Sequence, residues 1–333
     1  MTQEYRLKIR ESIKKRVPYR VLSLFCGAGG FDLGFIRGGF DIVLGIDFNK
    51  NAIESCKVNF KHPVLLADIK NVKEVPECDV VIGGFPCQGF SIDGKRNVND
   101  KRNFLYLEYV RILKKAMPVM FIAENVKGLL SMDKGRVIQK IVSDFSNVGY
   151  HISYILLDAQ NYSVPQRRER VFIFGVRKDI WSNQGNSIFN ITKDMFPVEK
   201  KVTLRDTIAD IPFSREDILE KCYGSFFMSR RRNTSWDDVS RTITAEIPHI
   251  LHPDSKEMIK IGKDHFVFEK NKESFLKTRN FTYKECAAIQ TFPRDFYFHG
   301  SLISKYKQIG NAVPVNLAHR ISKTVKNILD SIL

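Results

Sequence analysis

A chain of 333 residues with 53 basic and 37 acidic side chains, a net charge of +16, is long enough to bury a large core, and at 43% hydrophobic it is too apolar to be disordered. No apolar run reaches the ~18 residues of a membrane span, and the opening Met1-Thr2-Gln3-Glu4-Tyr5-Arg6 has no apolar signal core, so the expected location is the cytoplasm and no membrane partner is expected. The basic excess favours a polyanion, most simply nucleic acid, and Arg6, Lys8, Arg10, Lys14, Lys15, Arg16 and Arg20 add a basic arm to it.

The runs Val21–Phe25, Ile42–Ile46, Val64–Leu66, Val80–Ile82, Val119–Ala123, Ile152–Leu157 and Val171–Gly175 read as buried strands. Between them, Asn51–Phe60, Phe104–Ala116 and Arg136–Val148 have helical spacing. Strand alternating with helix predicts an α/β fold with a doubly wound, mostly parallel sheet. After Arg177 the rhythm stops. Residues 182–186 read as a linker, and the polar stretch to about 278 reads as a smaller, loop-rich second domain. From Thr282 the α/β character returns and closes in the helical Val315–Leu333. The expected division is 1–180, 181–298 and 299–333. Cysteines 26, 56, 78, 87, 222 and 286 form no C-x-x-C pair, so neither a metal site nor a disulfide framework is expected.

Leu22-Ser23-Leu24-Phe25-Cys26-Gly27-Ala28-Gly29-Gly30-Phe31 reads as a strand, a glycine turn and a helix start, where backbone can approach a ligand closely. Asp47 ends the next strand and sets a carboxylate where ribose hydroxyls bind. The glycine spacing departs from G-x-G-x-x-G, which points away from a dinucleotide and toward a cofactor without phosphates. Asp68, after the third strand, reads either as an acceptor for an adenine amine or as a helix N-cap.

Gly83-Gly84-Phe85-Pro86-Cys87-Gln88-Gly89-Phe90-Ser91 follows Val80-Val81-Ile82 and sets one thiol at a strand's carboxyl end. In isolation Cys87 reads as a small apolar residue; on such a loop it is also a candidate nucleophile. Glu124-Asn125-Val126 closes another strand, where a partly desolvated carboxyl group has a raised pKa and can donate a proton. Before the last strand, Gln166-Arg167-Arg168-Glu169-Arg170 projects Arg168 and Arg170 to one side by the two-residue period, which suits a carbonyl oxygen or a phosphate.

In this order, Phe25-Cys26-Gly27-Ala28-Gly29-Gly30, Gly84-Phe85-Pro86-Cys87-Gln88, Glu124-Asn125-Val126, Gln166-x-Arg168-x-Arg170, Gln290-Thr291-Phe292-Pro293 and Gly310-Asn311-Ala312-Val313-Pro314 resemble the motifs of the C5-cytosine-specific DNA methyltransferases of bacterial restriction–modification systems. The likeness covers 21–178 and 279–325, and 180–278 matches loosely, as a target-recognition region would. It implies a Rossmann-like catalytic and cofactor domain over 1–180, target recognition over 181–298, and a return to the catalytic domain over 299–333. It also implies S-adenosyl-L-methionine as methyl donor, S-adenosyl-L-homocysteine as product, no metal, and double-stranded DNA as substrate.

The same resemblance implies roles. A cytosine rotates out of the duplex, the Cys87 thiolate adds to ring carbon 6, Glu124 holds ring nitrogen 3 and the exocyclic amine, and Arg170, helped by Arg168, holds the ring carbonyl. Phe25 and Phe48 would flank the adenine, with Asp47 on the ribose and Asp68 on the adenine amine. Gly27, Gly29, Gly30, Ile69, Pro86, Leu105, Asn311 and Ala312 would line the rest of the cofactor pocket. Gln88, Ser91, Lys95 and Arg96 in loop 84–102, and Arg230, Arg231, Arg232, Arg241 and Thr242 beyond it, would meet DNA. A monomer suffices, because each strand can be methylated in a separate visit. A cognate restriction endonuclease would act independently, and DNA would hold the enzyme to the nucleoid.

Two departures stand out: Ala312 offers no hydroxyl, and Asp93 falls in the loop expected to meet phosphates. A tRNA cytosine methyltransferase is the alternative enzyme, but the nearest candidate for its Cys-Phe-Thr signature, Cys222-Tyr223-Gly224, does not match it. Against a catalytically silent DNA-binding regulator stand the intact Cys87, Glu124, Arg168 and Arg170; a lost nucleophile would have supported it. A nicotinamide oxidoreductase would explain the glycine turn and leave Pro86-Cys87 unexplained.

Overall fold

The structure is a computed structural model that describes residues 18–86, 105–181, 188–219, 223–224, 234–245, 251–255, 259–262, 265–267 and 279–333. The chain divides into two compact units, Met1–Asp158 with Glu169–Val198 and Val315–Leu333, and Ala159–Arg168 with Glu199–Pro314. Val315, not residue 299, begins the stretch that returns to the first unit.

In the first unit, β1 (Arg20–Leu24), β2 (Asp41–Asp47), β3 (Val64–Leu66), β4 (Val80–Gly84), β5 (Met120–Val126), β6 (Tyr150–Asp158) and β7 (Glu169–Arg177) form one sheet in the order β3-β2-β1-β4-β5-β7-β6. The first five are parallel neighbours, and β7 runs antiparallel to both β5 and β6. The seven apolar runs of the sequence are these seven strands, and the fold is α/β with a mostly parallel sheet. The antiparallel pairing of β6 with β7 has a simple cause. Residues 159–168 join them without a crossover helix, and only an antiparallel pair can be joined that way.

The helices α1 (Gly30–Arg37), α2 (Lys50–Asn59), α3 (Leu105–Ala116) and α4 (Arg136–Asn147) alternate with the strands, and Val315–Ile332 closes the unit. On one face Tyr109 of α3 and Phe145 of α4 meet Phe121 and Tyr150 of the sheet edge to face or tilted, all fully buried. Burying each such ring contributes about 1.5–3 kcal/mol. The Tyr109 hydroxyl lies 3.2 Å from the Val81 carbonyl and 3.1 Å from that of Ile122, so this buried phenol is matched. On α1, Phe31 and Phe35 pack edge to face, and Phe31 also reaches Phe172 of β7.

The second unit holds a three-stranded antiparallel sheet of β8 (Tyr223–Gly224), β9 (Ile259–Gly262) and β10 (His265–Val267), in the order β8-β10-β9. Its helices include Leu204–Ile208, Tyr283–Ile289 and Leu302–Asn311. Thr282 and Glu285 form a capping box at the start of Tyr283–Ile289. Glu285 is 1% exposed and takes a bidentate ion pair from Arg279 at 2.6 and 2.7 Å.

His252 lies beside this pair, with Nε2 at 3.6 Å from Glu285 Oε1, edge to face with Trp236 and Phe281. Burial first, and then the Arg279 charge, lower its pKa to about 4. The folded protein therefore keeps His252 neutral while the unfolded chain takes up a proton near pH 6.5. Stability from this group is complete above pH 6.5 and falls as the pH drops toward 4, by about 3 kcal/mol in all. Urea unfolding at pH 7.5 and 4.5 checks it. In His252→Gln the part of the acid sensitivity due to this residue should disappear.

Among the described residues no helix is long and apolar enough to cross a membrane, and no three metal-ligating side chains come together.

Candidate active site

The parallel strands β1, β2, β4 and β5 end on one side of the first unit, and the candidate residues of that unit gather there. β1 runs into the glycine turn, where Phe25, Gly27 and Gly29 all have positive φ (53°, 54° and 81°). That conformation suits the two glycines, whereas in a bulky residue such as Phe25 it stores strain of about 1–3 kcal/mol. Gly30 is the first residue of α1. A Cβ added at Gly29 would strike the Phe60 ring, whereas one at Gly27 would meet nothing within 4 Å. The turn is thus closed on the Phe60 side and open at Gly27.

Asp47 holds the turn in place. Its Oδ2 accepts from the Gly27 amide at 2.9 Å and its Oδ1 from the Asn49 amide at 2.8 Å. Burial raises its pKa against the pull of these backbone donors. Cys56 of α2 donates to the Gly27 carbonyl at 3.3 Å. Phe48, next in the chain, is 72% exposed. Open backbone, a fixed carboxylate and a bare aromatic face fit a cofactor with a sugar and a flat base. Asp68 is exposed and caps the turn Ile69–Asn71 by accepting from the Lys70 amide at 3.0 Å; Ile69 itself is buried. Leu105 is half-buried at the start of α3.

Glu124 of β5 sits in register with Gly84 of β4, and Arg170 of β7 pairs with Val126. Arg170 Nε lies 2.9 Å from Glu124 Oε1, with the two side chains 14% and 13% exposed. Burial lowers the Arg170 pKa, and the Glu124 charge opposes that. The guanidinium thus lies directly against the carboxyl group that the sequence sets at this strand end. Gly84 makes this arrangement possible: a Cβ there would lie 2.7 Å from Glu124 Oε2. Asn125, named in the sequence only as part of a motif, is 2% exposed and donates to the Phe85 carbonyl at 3.1 Å. It therefore holds the strand end from which Pro86 leads to Cys87.

Cys87, Gln88, Ser91, Asp93, Lys95 and Arg96 lie outside the described residues, as do Arg230, Arg231, Arg232, Cys222, linker 182–186 and the basic arm up to Arg16. In the second unit, Asn311 is exposed and Ala312 buried. Arg241 is exposed, while the Thr242 hydroxyl donates to the Arg167 carbonyl at 2.7 Å.

Arg168 differs from expectation. It is 2% exposed, and its guanidinium donates to the carbonyls of Ile243, Gly310 and Ala312 at 2.7, 2.9 and 3.1 Å. A two-residue period holds only along a continuous strand. β7 begins at Glu169, so Arg168 lies before it.

One family model, described as C-5 cytosine-specific DNA methylase, matches residues 19–327. The Type II methyltransferase M.BsuRI of Bacillus subtilis is 39% identical over 96% of this chain and 82% of its own length. M.FnuDI of Fusobacterium nucleatum is 38% identical over 93% of this chain and 95% of its own. The crystal structure of the Dnmt2 methyltransferase of S. pombe matches the fold with a TM-score of 0.66 at 20% identity, over 94% of this chain and 99% of that one.

Proposed function

Because this chain belongs to the family of C-5 cytosine-specific DNA methylases and is a DNA cytosine-5 methyltransferase of the Type II restriction–modification kind, we propose that it methylates a flipped-out cytosine in a short duplex sequence through a covalent Cys87 adduct. The observation that carries this reading is the Glu124–Arg170 pair at the carboxyl end of β5, held beside the strand that leads to Cys87. S-adenosylmethionine, when bound, supplies an electrophilic methyl group.

The chain's own residues do the rest. The glycine turn, Asp47 and Phe48 would hold the cofactor's amino-acid tail, ribose and adenine. The Cys87 sulfur forms a bond to ring carbon 6, and the ring's π electrons move so that carbon 5 becomes nucleophilic. Glu124 accepts from the exocyclic amine and holds the proton at ring nitrogen 3, while Arg170 donates to the ring carbonyl as its charge grows. Carbon 5 takes the methyl group and then loses its hydrogen as a proton to a solvent base. The electrons of that bond restore the ring double bond, and the carbon–sulfur bond breaks to return the Cys87 thiolate. Cysteine suits both steps, because sulfur adds readily and leaves readily.

The target-recognition role falls to the middle of the chain, where Arg230, Arg231, Arg232 and Arg241 would meet guanines or phosphates. Loop 84–102 would close over the DNA with Gln88, Ser91, Lys95 and Arg96. A monomer is sufficient for this chemistry, in a bacterial cytoplasm and independently of any endonuclease.

The test is transfer of tritiated methyl from S-adenosylmethionine to unmethylated plasmid DNA, with unmodified tRNA offered in parallel and bisulfite sequencing of the product. Label on cytosine carbon 5 at one short sequence, abolished in Cys87→Ala, is the expected result. Label on tRNA alone would replace DNA as the substrate, and DNA binding without label would leave a regulator.

A further inference from the structure

The residues around Arg168 form a buried polar node in the second unit. Gln166 is fully buried; its Oε1 accepts from the Ile243 amide at 2.7 Å and its Nε2 donates to Gln290 Oε1 at 2.9 Å. Gln290, also fully buried, donates to the Ile309 carbonyl at 2.7 Å. Both backbone polar groups of Ile243 are thus taken by side chains, its amide by Gln166 and its carbonyl by Arg168. The main chain runs the same way: Arg167 donates to the Ser240 carbonyl and Ser240 to that of Pro165, each at 2.8 Å.

Gly310 completes the node. A Cβ there would lie 2.0 Å from the Thr244 carbonyl oxygen and 2.5 Å from the Ala245 nitrogen, so bare backbone is all that fits between the turn and this segment. Two stretches distant in sequence, 240–245 and 309–312, are therefore locked together through one guanidinium. Arg241 on this segment is exposed, as is Arg167, which pairs with Asp238 at 2.9 Å.

We infer that Arg168 is a positioning residue for target reading and does not touch the base: with Gln166 and Gln290 it fixes segment 240–245, and hence Arg241, against the Gly310–Ala312 turn. This rests on the proposed function for the identity of the target. A guanidinium is needed because its fork reaches three carbonyls at fixed angles, whereas an ammonium is a single point. Loss of the fork should loosen the segment while leaving the Glu124–Arg170 pair in place.

The test is Arg168→Lys on the full chain, with the plasmid sequence methylated by the unaltered protein as cognate duplex and single-base-pair variants of it as competitors. The expected result is a KM for cognate DNA raised about tenfold or more, with single-turnover methylation at saturation within about threefold of the starting protein. Discrimination against the variant duplexes should fall, and hydrogen exchange at the Ile243 amide should speed up. Arg170→Lys serves as contrast and should lose rate at saturation. Loss of saturated rate in Arg168→Lys matching that of Arg170→Lys would put Arg168 on the base and overturn the inference; so would unchanged KM, discrimination and exchange.

Should Arg168→Lys fail to fold, Gln166→Glu carries the same test, since it keeps the acceptor for Ile243 and loses the donor to Gln290. The unaltered protein separates the two readings. If it labels no DNA, the proposed function fails, and the exchange measurement still decides whether Arg168 holds the segment.

Discussion

Methyl transfer should fall by about 10²–10⁴-fold when Glu124 is replaced by glutamine, the range that a positioned acid–base group contributes. Glutamine keeps the shape of the side chain and can still accept from Arg170 Nε, now at 2.9 Å from Glu124 Oε1. Gly84 leaves open the space that the Oε2 position occupies, so the amide has room. What is lost is the charge that answers Arg170 and the ability to hold a proton at ring nitrogen 3. Single-turnover assays beside thermal unfolding curves would check it. A rate within about tenfold of the starting protein, at unchanged stability, would remove Glu124 from the chemistry.

Arg279→Met should destabilise the protein by about 3–5 kcal/mol, because breaking one side of a buried ion pair strands the other charge. Glu285 would be left 1% exposed, with the Thr282 amide at 2.8 Å as a remaining donor and neutral His252 beside it. The Arg279 guanidinium also lies 4.7 Å from the centre of the Phe213 ring and donates to the Asn280 carbonyl, so packing is lost with the charge. Denaturant unfolding measures the change. Arg279→Met with Glu285→Gln should recover part of it, since the double variant leaves no buried charge; no recovery would locate the loss in packing alone.

The seven strands were legible because each is a short apolar run between polar or glycine-rich segments, and a strand buried on both faces needs little else. The glycine turn, Asp47 and the Glu124 strand end were legible for a related reason. In a parallel sheet, residues just past the strand ends must share one side, so chain order alone brings them together. The position of Phe48, just past β2, follows from the same rule.

Other features depended on contacts that periodicity cannot carry. The two-residue period placed Arg168 beside Arg170, but the strand starts one residue after Arg168, and its guanidinium went instead to three carbonyls far away in sequence. A buried guanidinium goes where it can satisfy its donors, and which carbonyls are free is known only once the chain is folded. Asn125 is similar: the motif names it, and only its 3.1 Å bond to the Phe85 carbonyl gives it a task. The antiparallel β6–β7 pair was set by a short link without a crossover α-helix between two apolar runs that looked like the rest.

The sequence by itself determined the order of strands and helices, the motifs and their family, and the end of the sheet where the candidate residues gather, because these follow from local pattern and the handedness of parallel crossovers. Only the tertiary structure decided that Glu124 is paired with Arg170, that Gly84 and Gly310 are bare because neighbouring groups fill the space of a side chain, and that Arg168 binds backbone. Partner choice among buried polar groups is settled by distances of a few ångströms between segments that the sequence keeps far apart.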